Sequence, residues 1–329
     1  MVSNRKVIGV HVRVGSQSYY CPQHTIAHHS ACWSEKACEF IIIRTKAILK
    51  ADIFVPQLKI DKQSFDHDGF ILIPQLFSPD ELVPLADYLK GNAVQDNTFN
   101  VPDSDGGLAK LMVWSQCGSD YIGVLPQLER MYMIAEELLG ETVYHWHSKV
   151  TFKPKNHKGS WDWHQDFGHW YREGCLSPDM LTLAVAIDPM HTTNGPLQLV
   201  PGSHRLGRIE HVQVGDSVCA DPEYTEHVIE RKRVYTCELD IGDAVVFHAN
   251  TLHASSSNQS DDPRSLLLCS YNPTSNVPWK PVIEAHATNE RKVLPDESIV
   301  AGNWQGVVNS TRLLNPAGGR VYGYEVSDG

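Results

Sequence analysis

From Val143 onward the chain reads as a series of short strands. Val143–Lys153 alternates, Leu181–Ile187 is an unbroken apolar run, and Leu197–Val200, Val234–Leu239, Ala244–Phe247 and Ser265–Tyr271 follow. Turn sequences separate them: Asn194-Gly-Pro196, Pro201-Gly-Ser-His204 and Asp240-Ile-Gly-Asp243. Parallel strands need a crossover connection, usually a helix, between them. Here the helical patterns come before the strands and do not alternate with them. The expectation is a closed or double-sheet, mostly β core with flanking helices.

The helices are read from their ends. Ser78-Pro-Asp-Glu81 is a capping box with proline at the first helical position, and it opens a helix to about Lys90. A second helix is predicted from about Pro126 to Leu139, with Leu128, Met131, Ile134, Ala135 and Leu138 at helical spacing and Gly140 as its stop. Phe65–Ile73 is expected to run into a strand with Gly69 as a turn, and polar residues 92–110 to form a mobile surface loop. The organised domain is expected over 61–290. Residues 1–60 form an extension of unknown role, and 291–329 a tail packing on or near the domain. His24, His28 and His29 have near-helical spacing, so they are either a metal site or part of a surface extension.

Charge and cysteine usage narrow the function classes. A net charge of -11 argues against a nucleic-acid or anionic-membrane surface. The eight cysteines include no CxxC pair, which removes zinc-ribbon and thioredoxin readings and leaves free thiols of a reducing compartment. The sequence has no run of 18 apolar residues and only a poor match to a signal peptide, so a cytoplasmic protein is expected.

The chemistry gathers at Trp161-Asp-Trp-His-Gln-Asp-Phe-Gly-His-Trp-Tyr171. On a strand, His164 and Asp166 would leave the same face, so an imidazole and a carboxylate could meet one ion. A third ligand must come from elsewhere. His253 is the best candidate and His248 its competitor. Two histidines and one carboxylate facing open positions form the arrangement of non-haem Fe(II) oxygenases. An HxD pair by itself also occurs on ordinary surface strands. Arg264 opens an apolar strand, where a guanidinium needs a buried anion. A bidentate carboxylate of a dicarboxylic cosubstrate would satisfy it, as would a structural ion pair. Trp163, Phe167, Trp170 and Tyr171 are candidates to line a substrate pocket or to pack a core. His157, His169 and His204 are read as solvated or hydrogen-bonded, not as ligands.

These residues resemble a known family. His164-x-Asp166, His253, Arg264 eleven residues later, and Asn194-Gly-Pro-Leu-Gln-Leu-Val-Pro-Gly-Ser-His204 look like the phytanoyl-CoA dioxygenase family of Fe(II)/2-oxoglutarate oxygenases. The resemblance covers about residues 62–275. Trp163-His-x-Asp-Phe-x-x-Trp170 is most similar to the ectoine hydroxylases within it. The resemblance implies a double-stranded β-helix (jelly roll, cupin-like) core. It implies His164, Asp166 and His253 as iron ligands, and Arg264 with Ser255 on the 2-oxoglutarate carboxylate. Lys153 matches a family lysine that contacts 2-oxoglutarate, although a solvated strand-end lysine reads the same. His147 falls where ectoine hydroxylases have a substrate-contacting glutamine, a departure that points away from ectoine.

The implied reaction consumes O2 and 2-oxoglutarate, releases succinate and CO2, and hydroxylates an unactivated C–H of a small molecule, with ascorbate as a candidate reductant. Related halogenases carry a small residue at the Asp166 position, so the aspartate favours hydroxylation; desaturation or ring formation would use the same ligands. Family substrates include acyl-CoAs, amino acids, phosphonates, alkaloids and meroterpenoids. The acidic chain offers no clear cationic landing site for CoA, so a small metabolite is expected. The alternatives are a cupin-like Zn or Mn isomerase or hydrolase, for which Arg264 would have no use, and a non-catalytic metal-binding module, which would usually have lost a triad member. Oligomeric state is not readable.

Overall fold

The computed structural model describes residues 60–91, 96–279, 290–302, 304–309 and 313, and the backbone of 9–14, 17–22, 320–321 and 324–325. The chain divides into two units, Met1–Ile53 and Phe54–Gly329. In the first, β1 (Gly9–Val14) and β2 (Gln17–Pro22) form an antiparallel hairpin. His24, His28 and His29 lie outside the described residues.

The second unit begins with a helix that was not anticipated, ahead of the Gly69 turn and the expected strand. Asp61 caps α1 (Lys62–Asp68) by accepting from the Ser64 amide, and Gly69 ends it in the left-handed conformation at φ 80°. Phe70–Ile73 follows the turn as strand β3. The capping box at Ser78 is present and starts α2 (Pro79–Lys90). Residues 92–110 do not form one loop. β4 (Phe99–Pro102) and β5 (Leu108–Trp114) make a hairpin there. Asp103 holds its turn, with Oδ1 accepting from the Asp105 and Gly107 amides. After α3 (Tyr121–Val124) and a 3₁₀ turn, α4 (Glu129–Leu139) runs to Gly140 at φ 77°.

The strands follow as β6 (Val143–Lys153), β7 (Trp161–His164), β8 (Leu181–Ala186) and β9 (Leu197–Leu199), with α5 (Asp166–Trp170) between β7 and β8. Next come β10 (His211–Val214), β11 (Ser217–Ala220) and α6 (Pro222–Arg231), none of them anticipated, then β12 (Tyr235–Thr236), β13 (Ala244–His248), β14 (His253–Ser255) and β15 (Arg264–Pro273). A seven-stranded sheet has the order β3-β13-β8-β15-β6-β5-β4, and a four-stranded sheet has the order β12-β9-β14-β7. Every pairing in both is antiparallel. This is the double-stranded β-helix.

Side chains alternate across the large sheet. On β15, Leu267, Cys269 and Tyr271 join the core beneath the helices, while Leu266 and Leu268 pack with Leu197, Leu199 and Phe247 between the sheets. Cross-strand partners share a face. On β6, therefore, His147, Lys149, Thr151 and Lys153, paired with Ser270, Leu268, Leu266 and Arg264, form a polar row on the inner face. All four are buried. On the helical side, Arg130 binds Glu81 at 2.8 Å and Asp296 at 3.1 Å, holding the segment after residue 290 against α4. The five described cysteines, Cys117, Cys175, Cys219, Cys237 and Cys269, are free thiols. Among the described residues, no helix is long and apolar enough to cross a membrane.

Candidate metal centre and cosubstrate pocket

His164 ends β7, and its Cα is paired with that of His253 at the start of β14. The two rings face each other with centroids 4.1 Å apart. Asp166 does not extend the strand, as strand geometry would have had it. Gln165 turns the chain and Asp166 becomes the first residue of α5. Gln165 pins this corner: its Oε1 accepts from the Ile209 amide at 2.7 Å, and its Nε2 donates to Asn250 O at 2.7 Å and Gly207 O at 2.9 Å. His211 supports it from behind, Nε2 accepting from the Gln165 amide at 3.1 Å.

The result is a buried cluster in which one ligand atom from each of His164, Asp166 and His253 lies within 4.8 Å of the others. The Nε2 atoms of both histidines are 4.0 Å from Asp166 Oδ1. His164 Nδ1–H donates to Asp162 O at 2.7 Å, and His253 Nδ1–H to Thr251 O at 2.8 Å. Each bond puts the proton on Nδ1 and turns the Nε2 lone pair toward Asp166. The other Asp166 oxygen, Oδ2, accepts from Thr182 Oγ1 at 3.0 Å, and Thr182 Oγ1 is 2.9 Å from Ser270 Oγ. Sequence reading missed these supports, although Thr182 and Ser270 stand out as hydroxyls in apolar strands.

Electrostatics favour ligand-ready protonation states. Burial, with His253 nearby, pushes the His164 imidazole down to about 3. Burial also lowers His253, against the pull of Asp166. Burial would raise Asp166, but Lys149, His253, His164 and His147 outweigh it and hold the carboxyl below its usual range. Two neutral imidazoles and a carboxylate are the donor set that suits Fe(II). These residues therefore fit the ion.

Arg264 is buried at the first rung of β15. Its Nε donates to Gly195 O and its Nη1 to Thr151 Oγ1, both at 3.1 Å. A guanidinium has five N–H donors, so this mooring leaves donors over for an anion. Ser255 Oγ is buried and has no hydrogen-bond partner. Such an atom is costly unless a ligand satisfies it, and it fits a cosubstrate carboxylate. Lys153 is not a solvated strand-end lysine. Its Nζ donates to Ser255 O at 3.2 Å and also to Ser256 O, and burial beside Arg264 pushes its ammonium down to about 6.

The aromatic candidates separate. His147 points inward and its ring centroid is 5.6 Å from that of Trp170. Trp163 lies on the face of β7 opposite His164 and packs near Val200, Ile209, Ala220, Val228 and Leu252, away from the triad. On α5, Asp166 and Trp170 share one side and Phe167 and Tyr171 another, as residues four apart do. Phe167 packs in a core with Tyr144, Trp146, Met180 and Ala249, and Trp170 is buried in the same cluster. Tyr171 is 48% exposed beneath the Arg208 guanidinium, so it does not line an inner pocket. The aromatic ring near the triad that sequence reading passed over is Trp161, 6.3 Å from the His164 ring. His169 is partly buried, and burial, with His211 and His164 beside it, holds its imidazole well below the usual range. His204 is hydrogen-bonded to Asp66 O at 3.2 Å.

Comparison with known proteins agrees with this geometry. The sequence profile of phytanoyl-CoA dioxygenase (PhyH) matches residues 65–266. The ectoine dioxygenase of Bordetella bronchiseptica is 31% identical over 68% of this chain and 78% of its own length. The L-proline trans-4-hydroxylase of Streptomyces griseoviridis is 27% identical over 67% of this chain and 88% of its own. The crystal structure of EctD from S. alaskensis with 2-oxoglutarate and 5-hydroxyectoine superimposes with a TM-score of 0.59, covering 74% of this chain and 89% of that one at 24% identity, a likeness of fold. The matched profile spans most of the double-stranded β-helix and contains the His164, Asp166, His253 cluster and Arg264, so the chain belongs to the phytanoyl-CoA dioxygenase family of iron- and 2-oxoglutarate-dependent dioxygenases.

Proposed function

We propose that this chain hydroxylates a C–H bond of a small-molecule metabolite, with His164, Asp166 and His253 holding iron and with Arg264 and Ser255 holding the distal carboxylate of 2-oxoglutarate. The observation that carries the reading is the convergence of two Nε2 atoms on Asp166 Oδ1, each imidazole oriented by a backbone carbonyl. When bound, iron and 2-oxoglutarate supply the oxidising chemistry, in which O2 is consumed, succinate and CO2 leave and the substrate gains a hydroxyl. The protein's part is positional. Burial keeps both imidazoles neutral and the Nδ1–H bonds aim them, Thr182 keeps Asp166 Oδ1 turned to the ion, and Arg264 sets how far into the barrel a dicarboxylate enters. Lys153 braces the backbone after His253 through the Ser255 and Ser256 carbonyls. His147 and Trp170 are proposed to meet the substrate. Relatives are named for L-proline and ectoine, both small cyclic metabolites, which supports a substrate of that size.

The test is anaerobic titration of the Fe(II)-loaded protein with 2-oxoglutarate, watching for the weak visible charge-transfer band of bidentate keto-acid chelation. The band should form in the wild type, vanish in His164→Ala and need more 2-oxoglutarate in Arg264→Ala. Tight retention of Zn or Mn with no band would sink the oxygenase reading and favour a cupin-like metalloprotein of another class.

A further inference from the structure

We propose that Cys117 is a redox-modification site, a thiol activated by His145 and converted by hydrogen peroxide to a sulfenic acid. The inference is independent of the oxygenase reading and concerns the helical face of the large sheet. Cys117 sits in the connection between β5 and α3 and is only partly buried, whereas Cys175, Cys219, Cys237 and Cys269 are buried. Its Sγ is 3.2 Å from His145 Nδ1, and His145 Nε2 is 2.8 Å from Ser148 Oγ. A nucleophile, a base and a third group that orients the base form the arrangement that activates a thiol.

A β-bulge builds the arrangement. β6 and β15 pair in regular register from Lys153 and Arg264 to His147 and Ser270, and then Tyr271 pairs with His145, so Trp146 is the extra residue. In unbroken alternation His145 would share the inner face of His147 and Lys149. A bulge re-aims a side chain. This one sends His145 to the helical face with Tyr271, whose ring it meets edge-on at 6.1 Å, and within reach of Ser148. The hydrogen-bond directions follow from the far end. The Ser148 hydroxyl bonds the thiol of Cys269, its cross-strand partner. Its oxygen therefore accepts from His145 Nε2–H, which leaves the lone pair on Nδ1, facing Cys117.

In the step, Nδ1 takes the thiol proton and the thiolate sulfur attacks one oxygen of hydrogen peroxide. The S–O bond forms as the O–O bond breaks, and sulfur gives two electrons to the peroxide. The departing hydroxide takes the proton back from His145 and leaves as water, so Cys117 ends as the sulfenic acid. The titratable groups around the pair are two tyrosines and an ion pair. Burial holds the Tyr132 and Tyr271 hydroxyls above their ordinary range. Arg291, stacked on Tyr132 at 5.0 Å, is paired with Glu136 at 2.8 Å.

The experiment uses the full chain, kept free of iron with a chelator so that no metal consumes the peroxide. It is treated with hydrogen peroxide and a cyclic 1,3-dione that traps sulfenic acids, and peptide mapping by mass spectrometry reads each cysteine separately. Cys117 should carry the trap. At neutral pH iodoacetamide should alkylate it about tenfold faster than glutathione, or more, since thiolate content sets the rate. His145→Gln should slow that alkylation by about 10- to 100-fold, the lower end of what a positioned base contributes. At pH about 10, above the ordinary thiol range, variant and wild type should react alike, because the thiol then ionises without help. Ser148→Ala should show the same pattern more weakly, and it carries the test if the histidine variant does not fold. The proposal is overturned if the trap labels other cysteines and not Cys117, or if Cys117 reacts no faster than glutathione. It is also overturned if the variants react at the wild-type rate at neutral pH, or are slowed equally at both pH values, which would mean access and not activation.

Discussion

Thr182→Val tests whether the metal centre depends on a hydroxyl no ligand motif includes. The change is nearly isosteric: a hydroxyl becomes a methyl, with no cavity and little crowding. Thr182 Oγ1 donates to Asp166 Oδ2 at 3.0 Å, and in doing so accepts from Ser270 Oγ at 2.9 Å, in a fully buried spot. A hydrogen bond to a charged group contributes about 1.5–3 kcal/mol, and an orphaned buried hydroxyl adds its own desolvation cost. Part of that loss falls on folding, since Asp166 is buried with or without metal. Part falls on the ion, because a carboxylate free to rotate no longer presents Oδ1 to both imidazoles. Loss of such outer supports weakens metal binding by about 10- to 100-fold. The assay is competition between protein and a chelator for Fe(II), alongside urea denaturation of the metal-free form. Adding Ser270→Ala to Thr182→Val should restore stability by removing the orphaned hydroxyl and leave the metal defect in place. Fe(II) binding within twofold of wild type in the single variant would refute the reasoning, as would recovery of metal affinity in the double variant.

Two further outcomes follow from the same centre. Gly168→Ala should destabilise, although alanine ordinarily favours a helix, because a Cβ there would lie 2.0–2.4 Å from the His211 ring atoms. The forced shift of His211 and of the Gln165 corner should cost about 1–3 kcal/mol in urea denaturation, and an unchanged midpoint would contradict the packing described. The metal-free protein should lose stability as the pH falls. His164 is held at about 3 against an ordinary 6.5, so the unfolded chain binds a proton that the native state refuses. Its contribution is full above about 6.5 and is lost between there and about 3, and His164→Asn should flatten the fall in melting temperature measured with chelator present.

Local rules worked where the physics was local. The Ser78 capping box, the α4 stop at Gly140 and the alternation of β6 depend on neighbours within a few residues, and each is legible in the chain. They failed where a cap or turn overrode the pattern. Asp61 caps Lys62–Asp68 as a helix that was not anticipated, and Asp103 folds an apparent loop into the β4–β5 hairpin. The HxD spacing pointed to two residues that do lie together, but for a reason that did not hold, because Asp166 reaches the cluster as the first residue of a helix.

The sequence by itself determined the chemistry on offer: two imidazoles, a carboxylate and a guanidinium in a family's order, on a chain of short strands without helical crossovers between them. Tertiary structure decided which of those groups meet. His253 rather than His248 faces His164 because β14 pairs with β7 in the small sheet, while His248 turns toward His204 and Asp179. It also decided that Lys149 and Thr182 belong to the site, since both reach Asp166 only once β6, β15 and β8 lie side by side. Strand register sets those meetings, and register is a property of pairings between residues distant in sequence, which no local window contains.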